Sequence, residues 1–442
     1  MSKLFLDYNF QETIIERTSS QLESYWDSPE ALEHLGYYKK RFSIDPVTLI
    51  AKIKDQSHKP ISVFITQFFI NTSYLRDLID EEDTDDLLEF WEASEFTSLF
   101  FDSNEIEEGE FLSKSKTCLK KLESVWVTYL YIHLEISIEA KLCFKPIPEI
   151  GDFDNTYYTE NGYSLNLQEI DQKYSCDEII NELEEHNFHK ELPVEQVITI
   201  EEFGLGFRAG SSLSKEEYKT AADKLEISLK TLAELTPELF KTLTQFTHTV
   251  IAINVPEMVS FSLQSLPGYS SINLFHRDKV DCLDDLLHEN GHHFLNTILN
   301  HSELIVEDPE KDYPSPWRMS FRPIRGIYHG VFTFYWALEL FGQLAKSTQL
   351  EDRFSKEEVS KIKIRYIEEY YRLIYCEESL DMARENELIT DEGWDLIQKI
   401  LIEIKDHLDS VKVIEESLSK DEIKEIASIK SSLKSLKETA FH

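Results

Sequence analysis

The chain has 442 residues, with 45 Lys plus Arg against 83 Asp plus Glu, a formal net charge of −38. Its 41% hydrophobic and 12% aromatic content is enough for a packed core, which excludes an intrinsically disordered chain despite that charge. So acidic a balance also argues against general nucleic-acid binding and against attraction to an anionic membrane surface.

The start, MSKLFLDYNFQETIIE, lacks a basic region followed by an apolar run of about seven residues, so no signal peptide is expected. The longest apolar stretch, SVFITQFFI at 62–70, is far short of the roughly 20 residues of a membrane span. Five cysteines (Cys118, Cys143, Cys176, Cys282 and Cys376) are widely spaced and form no CxxC pair. That pattern is neither a disulfide framework nor a thiolate zinc site, and it predicts a reducing, cytoplasmic setting.

Residues 1–110 are helical in pattern, with Leu75, Leu78, Ile79, Leu87, Leu88 and Trp91 at mixed three- and four-residue spacing. From Asp77 to Glu110 there are fifteen acidic residues and no Lys or Arg, which reads as a solvated face or loop. The character changes at 124–170, where β-branched and aromatic residues and an Asn-Gly turn signal predict strands and hairpins. VITIEEFGLGF at 197–207 reads as another strand with a glycine turn. Ser214 to Glu217 is a capping box for a helix reaching about Ala233, and Thr236-Pro237 is an N-cap and first-turn pair for the next. Segments around 248–266 read as short strands, with PGYSS as their turn.

From Asp281 the pattern is helical again. A second capping box at Ser355 to Glu358 opens a further helix, and Ile426, Ile429, Leu433 and Leu436 make a narrow packing stripe on the last one. The expected fold is α+β, predominantly helical with a small antiparallel sheet. Three regions are expected: a mostly helical part over 1–123, a metal-binding core over 124–345 and a helical part over 346–442.

The chemistry concentrates in DDLLHENGHHFL, which contains the HExxH motif His288-Glu289-Asn290-Gly291-His292. On a helix the i and i+4 imidazoles share a face, so His288 and His292 can chelate one metal ion. Gly291 costs about 1 kcal/mol against Ala inside a helix, which implies that something approaches that face closely. His293 reads as a packing or supporting residue. Beyond His292 the metzincin positions hold Leu295 and Ile298, so that zinc-protease pattern fails. Glu303, Glu307, Glu339 and His329 remain as possible third ligands. His329 lies in RPIRGIYHGVFTFYW, where Pro323 suits the first turn of a helix running to about Gly342. Arg322, Arg325 and His329 would then share one face at i, i+3 and i+7.

Pro267-Gly268, His288 to His292, Trp317-Arg318, Arg322-Pro323-Ile324, Gly326 and His329-Gly330 together resemble the HExxH-motif domain family. That family is viewed as iron(II)/α-ketoglutarate-dependent peptide β-hydroxylases acting on ribosomally made peptides. The specific motifs cover about 265–340, with weaker similarity back to about 145. Met319-Ser320 stand where the family often has a pair of aspartates.

The resemblance implies that His288, His292 and His329 hold Fe(II) and that a precursor peptide is hydroxylated on a β-carbon with α-ketoglutarate and O2. A distal carboxylate on α-ketoglutarate needs a cation, preferably a bidentate Arg. Arg325, one turn before His329, comes first, then Arg322 and Arg318. Glu289, which would activate water in a zinc peptidase, is then an orienter of a histidine. Two alternatives stand beside this reading. One is a zinc metallopeptidase with Glu289 as catalytic base, and the other is a non-catalytic peptide-binding protein. The expected partner is a precursor peptide, with no nucleic acid and no membrane. Tyr313 to Leu338 contains no acid, so the candidate site is locally neutral to basic within an acidic chain.

Overall fold

The computed structural model describes residues 8–42, 45–55, 60–81, 87, 112–113, 115–116, 119, 139–140, 156–158, 164–166, 174–175, 206–209, 215–247, 249–254, 256, 259–262, 268–299, 302–306, 310 and 312–440. The chain divides into two compact units. One comprises Met1–Ile14, Ile227–Leu243 and Arg277–His442, and the other comprises Ile15–Glu226 and Thr244–His276. The boundary expected near residue 345 falls inside the first of these. Among the described residues no helix is long and apolar enough to cross a membrane.

Four helices open the chain: α1 (Tyr8–Trp26), α2 (Pro29–Phe42), α3 (Pro46–Asp55) and α4 (Pro60–Glu81). Three of them begin on proline, whose fixed φ suits a first turn and whose missing N–H has no partner to lose there. Asp45 caps α3 by accepting from the Thr48 backbone N–H at 3.0 Å. In the second unit Trp26 and Phe69 pack with ring centroids 4.8 Å apart, and the Trp26 indole N–H donates to Thr66 at 3.0 Å. Leu75, Leu78, Ile79 and Leu87 are buried as the apolar spacing predicts. Leu88, Trp91 and most of the acidic run to Glu110 lie outside the described residues.

Short strands follow: β1 (Glu139–Ala140), β2 (Thr156–Tyr158), β3 (Ser164–Asn166), β4 (Tyr174–Ser175) and β5 (Gly206–Ala209). β2 and β3 pair antiparallel across the Asn-Gly signal, as a hairpin should. Helices α5 (Lys215–Leu235) and α6 (Pro237–Phe246) precede β6 (Thr249–Ile253), β7 (Phe261–Ser262) and β8 (Tyr269–Asn273). Ser214 lies outside the described residues, whereas Pro237 opens α6 as expected.

The main sheet has the order β5-β6-β8-β7 and is mixed rather than antiparallel. β6 runs parallel to both β5 and β8, and only β7 opposes β8. The reason is the connection. Two helices separate β5 from β6, and a long helical crossover returns the chain to the same edge for a parallel partner. PGYSS is also not a whole turn. Gly268 takes the left-handed conformation (φ 79°), and Tyr269 already starts β8.

The first unit is built around one buried helix. Its elements are α7 (Lys279–Leu299), β9 (Tyr313–Ser315), β10 (Ser320–Arg322), α8 (Ile324–Lys346), α9 (Leu350–Arg353), α10 (Lys356–Tyr375), α11 (Glu377–Glu385), α12 (Asp391–Lys405), α13 (Leu408–Glu416) and α14 (Lys420–Ala440). α8 packs on α7, α9, α10, α11, α12 and the β9–β10 hairpin. It is apolar on nearly every side, which is what a central helix requires.

Pro323 is its N-cap, so Arg322 belongs to β10 and not to the helix. The expected helical spacing of Arg322 to Arg325 and His329 therefore does not apply. Gly342 does not end α8 either. A Cβ there would sit 2.8 Å from Tyr366, so the glycine admits α10 rather than stopping the helix. Ser355 and Glu358 form the predicted capping box on α10. Ile426, Leu433 and Leu436 on α14 are buried, as their stripe predicts.

Candidate metal centre

The two motif histidines sit in mid-helix on α7, and His329 sits on α8, the helix that α7 packs against. Gly291 explains how closely these helices meet. A Cβ at that position would lie 2.4 Å from Trp336 Cδ1 and 3.3 Å from the Thr333 Cα. Trp336 on α8 therefore occupies the space that any larger residue would need. Asn290 ties the same helix to α6 by donating to the Thr242 carbonyl at 3.4 Å. His293 is buried, away from solvent.

The three imidazoles gather at this crossing. Ring centroids of His288 and His292 are 5.0 Å apart, and those of His292 and His329 are 6.3 Å apart. Two imidazoles sharing one ion with metal–nitrogen bonds of about 2.1 Å place their centroids roughly 4.6–5.3 Å apart. The α7 pair meets that spacing, and the His329 ring stands about 1 Å beyond it. Among the described residues no three His, Cys, Asp or Glu side chains already stand together as a metal site.

Two observations fit an ion at this place. His288 Nδ1 and His329 Nε2 are buried and meet no hydrogen-bond partner, a costly arrangement that coordination or a bound polar ligand relieves. All three rings are also neutral. Burial is the first cause at His288, pulled down to about 3, with the Arg365, Arg318 and Arg277 charges adding to it. Burial first, then His292 and Arg325, hold His329 at about 3, and burial keeps His292 well below its ordinary value. A metal takes the neutral imidazole, so these sites need no proton removed before binding.

The carboxylates considered as a third ligand stand elsewhere. Glu339 is buried against His407, with 2.8 Å between its Oε1 and the His407 Nε2. Glu303 is exposed, and Glu307 lies outside the described residues. Glu289 is buried on α7. Arg318, Arg322 and Arg325 are all exposed.

A supporting ring of contacts runs from His288 back to its own helix. Phe334 of α8 lies 4.5 Å from the His288 ring. Trp317, in the turn between β9 and β10, stacks on Phe334 at 4.3 Å and 9°. Gly330, next to His329, gives that indole its room, since a Cβ would stand 2.8 Å from it. The Trp317 N–H donates to the buried Glu369 at 2.8 Å. Glu369 also faces Arg365 at 3.3 Å, and Arg365 pairs with Asp284, one turn before His288. Burial pushes the Asp284 carboxyl up to about 7 even beside Arg365.

Asp284 was detectable in the sequence as the i−4 neighbour of His288. Arg365 and Glu369 carried no signal, because the partners of this network are 52 to 81 residues apart in the chain. No protein-family model matches the chain, and no curated protein matches it.

Proposed function

We propose that the chain is an iron(II)/α-ketoglutarate-dependent oxygenase that hydroxylates the β-carbon of a residue in a ribosomally made precursor peptide. The observation that supports it most is the gathering of His288, His292 and His329, two of them with an orphaned buried nitrogen, at the α7–α8 crossing. Three neutral histidines on one side leave the other positions of an ion open, which suits an oxygenase.

When bound, Fe(II) with α-ketoglutarate and O2 supplies the oxidising chemistry, in which one oxygen atom enters a C–H bond and the other goes to succinate as CO2 leaves. His288, His292 and His329 would hold the ion. Phe334 and Trp317, both half-buried, stack beside His288 and support its ring. Arg325, exposed one turn before His329, offers a planar fork to the distal carboxylate of α-ketoglutarate. Glu289, buried on the metal helix, acts as an orienter rather than as a base. Cys282 and Cys376 are buried thiols outside any disulfide among the described residues, which suits a reducing compartment.

Anaerobic protein loaded with Fe(II) and then given α-ketoglutarate should develop a weak visible charge-transfer band. His329→Ala should abolish the band with the helical circular dichroism retained. An iron-loaded protein with no band refutes the oxygenase reading, and zinc-dependent peptide cleavage would establish the peptidase instead.

A further inference from the structure

The sequence holds 83 acids against 45 bases, so carboxylates are plentiful around its arginines. In the unit that carries the histidines, Arg277, Arg353, Arg365, Arg372 and Arg384 each hold a carboxylate. Arg318 and Arg322 are exposed, and no ion pair is made by either among the described residues. Both belong to the β9–β10 hairpin, inside the acid-free stretch from Tyr313 to Leu338.

The hairpin is a rigid mount. Between the two arginines, Met319 takes a left-handed backbone (φ 50°), a strained conformation for a residue with a side chain. Met319 is 48% exposed. Trp317, in the same turn, is fixed by its stack on Phe334 and its hydrogen bond to Glu369. Phe334 in turn touches His288. Arg318 and the exposed Met319 therefore directly follow an indole that is tied through Phe334 to the His288 ring, and Arg322 follows on β10.

We propose that Arg318 and Arg322, with Met319 between them, form a docking surface for an acidic segment of the peptide substrate. The inference rests on the peptide-modifying reading and adds the substrate's chemical class. Charge complementarity carries it: the patch is basic, apolar at its centre and set in a strongly acidic protein. A nucleic acid brings a long run of phosphates that the surrounding −38 repels, whereas a short acidic stretch needs only the local patch.

Fluorescence anisotropy at 150 mM salt tests this with a labelled octaglutamate peptide, a Gly-Ser peptide of equal length and a single-stranded RNA of the same length. The intact chain should bind octaglutamate and not the neutral peptide. The Arg318→Gln/Arg322→Gln double variant should bind it about fivefold to thirtyfold more weakly, as expected for two exposed charge contacts of about 0.5–1 kcal/mol each. Arg318→Glu/Arg322→Glu should abolish binding.

Equal octaglutamate binding by parent and Gln variant overturns the proposal, as does no binding by the parent. RNA binding that exceeds octaglutamate and is lost in the variant replaces the acidic peptide with a nucleic acid. Loss of α-ketoglutarate binding instead of peptide binding would make these arginines cosubstrate anchors. If the parent binds octaglutamate but neither iron nor α-ketoglutarate, the oxygenase reading fails while the docking surface stands.

Discussion

Gly291 shows how much a single residue governs at this site. A glycine in mid-helix costs about 1 kcal/mol against alanine, so Gly291→Ala would stabilise an exposed helix. Here the added methyl meets Trp336 at 2.4 Å and lies 3.3 Å from backbone. Overpacking of that kind costs about 1–3 kcal/mol and outweighs the helix gain. Gly291→Ala should therefore lower stability by up to about 2 kcal/mol in denaturant melts. A variant more stable than the parent would mean that the two helices do not meet there.

The histidines set a second residue-scale expectation. An unfolded imidazole titrates near about 6.5, whereas His288 and His329 are held near 3 in the fold, chiefly by burial. Below about 6.5 the unfolded chain takes up protons that the folded chain refuses. Stability of the metal-free protein should therefore be greatest above that pH and fall as the pH drops. Thermal melts from pH 7.5 to 5 read this directly. The slope should flatten in the His288→Gln/His329→Gln variant, and identical slopes would contradict the assignment.

At the scale of elements, the unit with the histidines depends on one acid that faces three partners. Glu369 of α10 is fully buried and meets Trp317, Arg365 and Arg372. Removing it takes the acceptor from the Trp317 N–H and leaves Arg365 with Asp284 and Arg372 with Glu368 as their remaining carboxylates. Glu369→Ala should cost about 3–5 kcal/mol, the range for breaking a buried pair. Glu369→Gln keeps an acceptor for Trp317 and should cost less. Cobalt(II) absorption should also shift in Glu369→Gln if the ring of contacts sets the His288 orientation. An unchanged spectrum would reduce Glu369 to a packing role.

Sequence patterns marked the elements that make up this arrangement more readily than their uses. The Ser355 capping box, the Pro237 first turn and the α14 stripe were all legible, because caps and periodicity act within a few residues. Gly342 resembled a helix end and is a contact point, since its reason lies on α10. Arg322 resembled a helical residue and is a strand residue, because Pro323 fixes where α8 begins.

Across the whole molecule the charge of −38 is self-repulsive, and salt shortens the reach of that repulsion from roughly 30 Å at 0.01 M to about 3 Å at 1 M. Melting temperature should therefore rise between 0.02 and 0.5 M NaCl. A fall would mean that the surface ion pairs outweigh the net charge. Binding of an acidic peptide to Arg318 and Arg322 rests on local attraction between opposite charges and should weaken above physiological salt, the opposite direction.

The sequence alone determined a mostly helical chain, an HExxH helix with one face of paired imidazoles, a glycine that demands a close neighbour and an acid-free island around His329. These follow from local rules: helical periodicity, propensity and the run of charges along the chain. Only the tertiary structure decided that the main sheet is mixed, that Trp336 is the neighbour of Gly291 and that Glu339 pairs with His407 instead of joining the motif histidines. It also decided that Asp284, Arg365, Glu369, Trp317 and Phe334 close a ring behind His288. Those outcomes depend on packing between helices far apart in the chain, where loop closure and burial choose the partners and no local pattern records the choice.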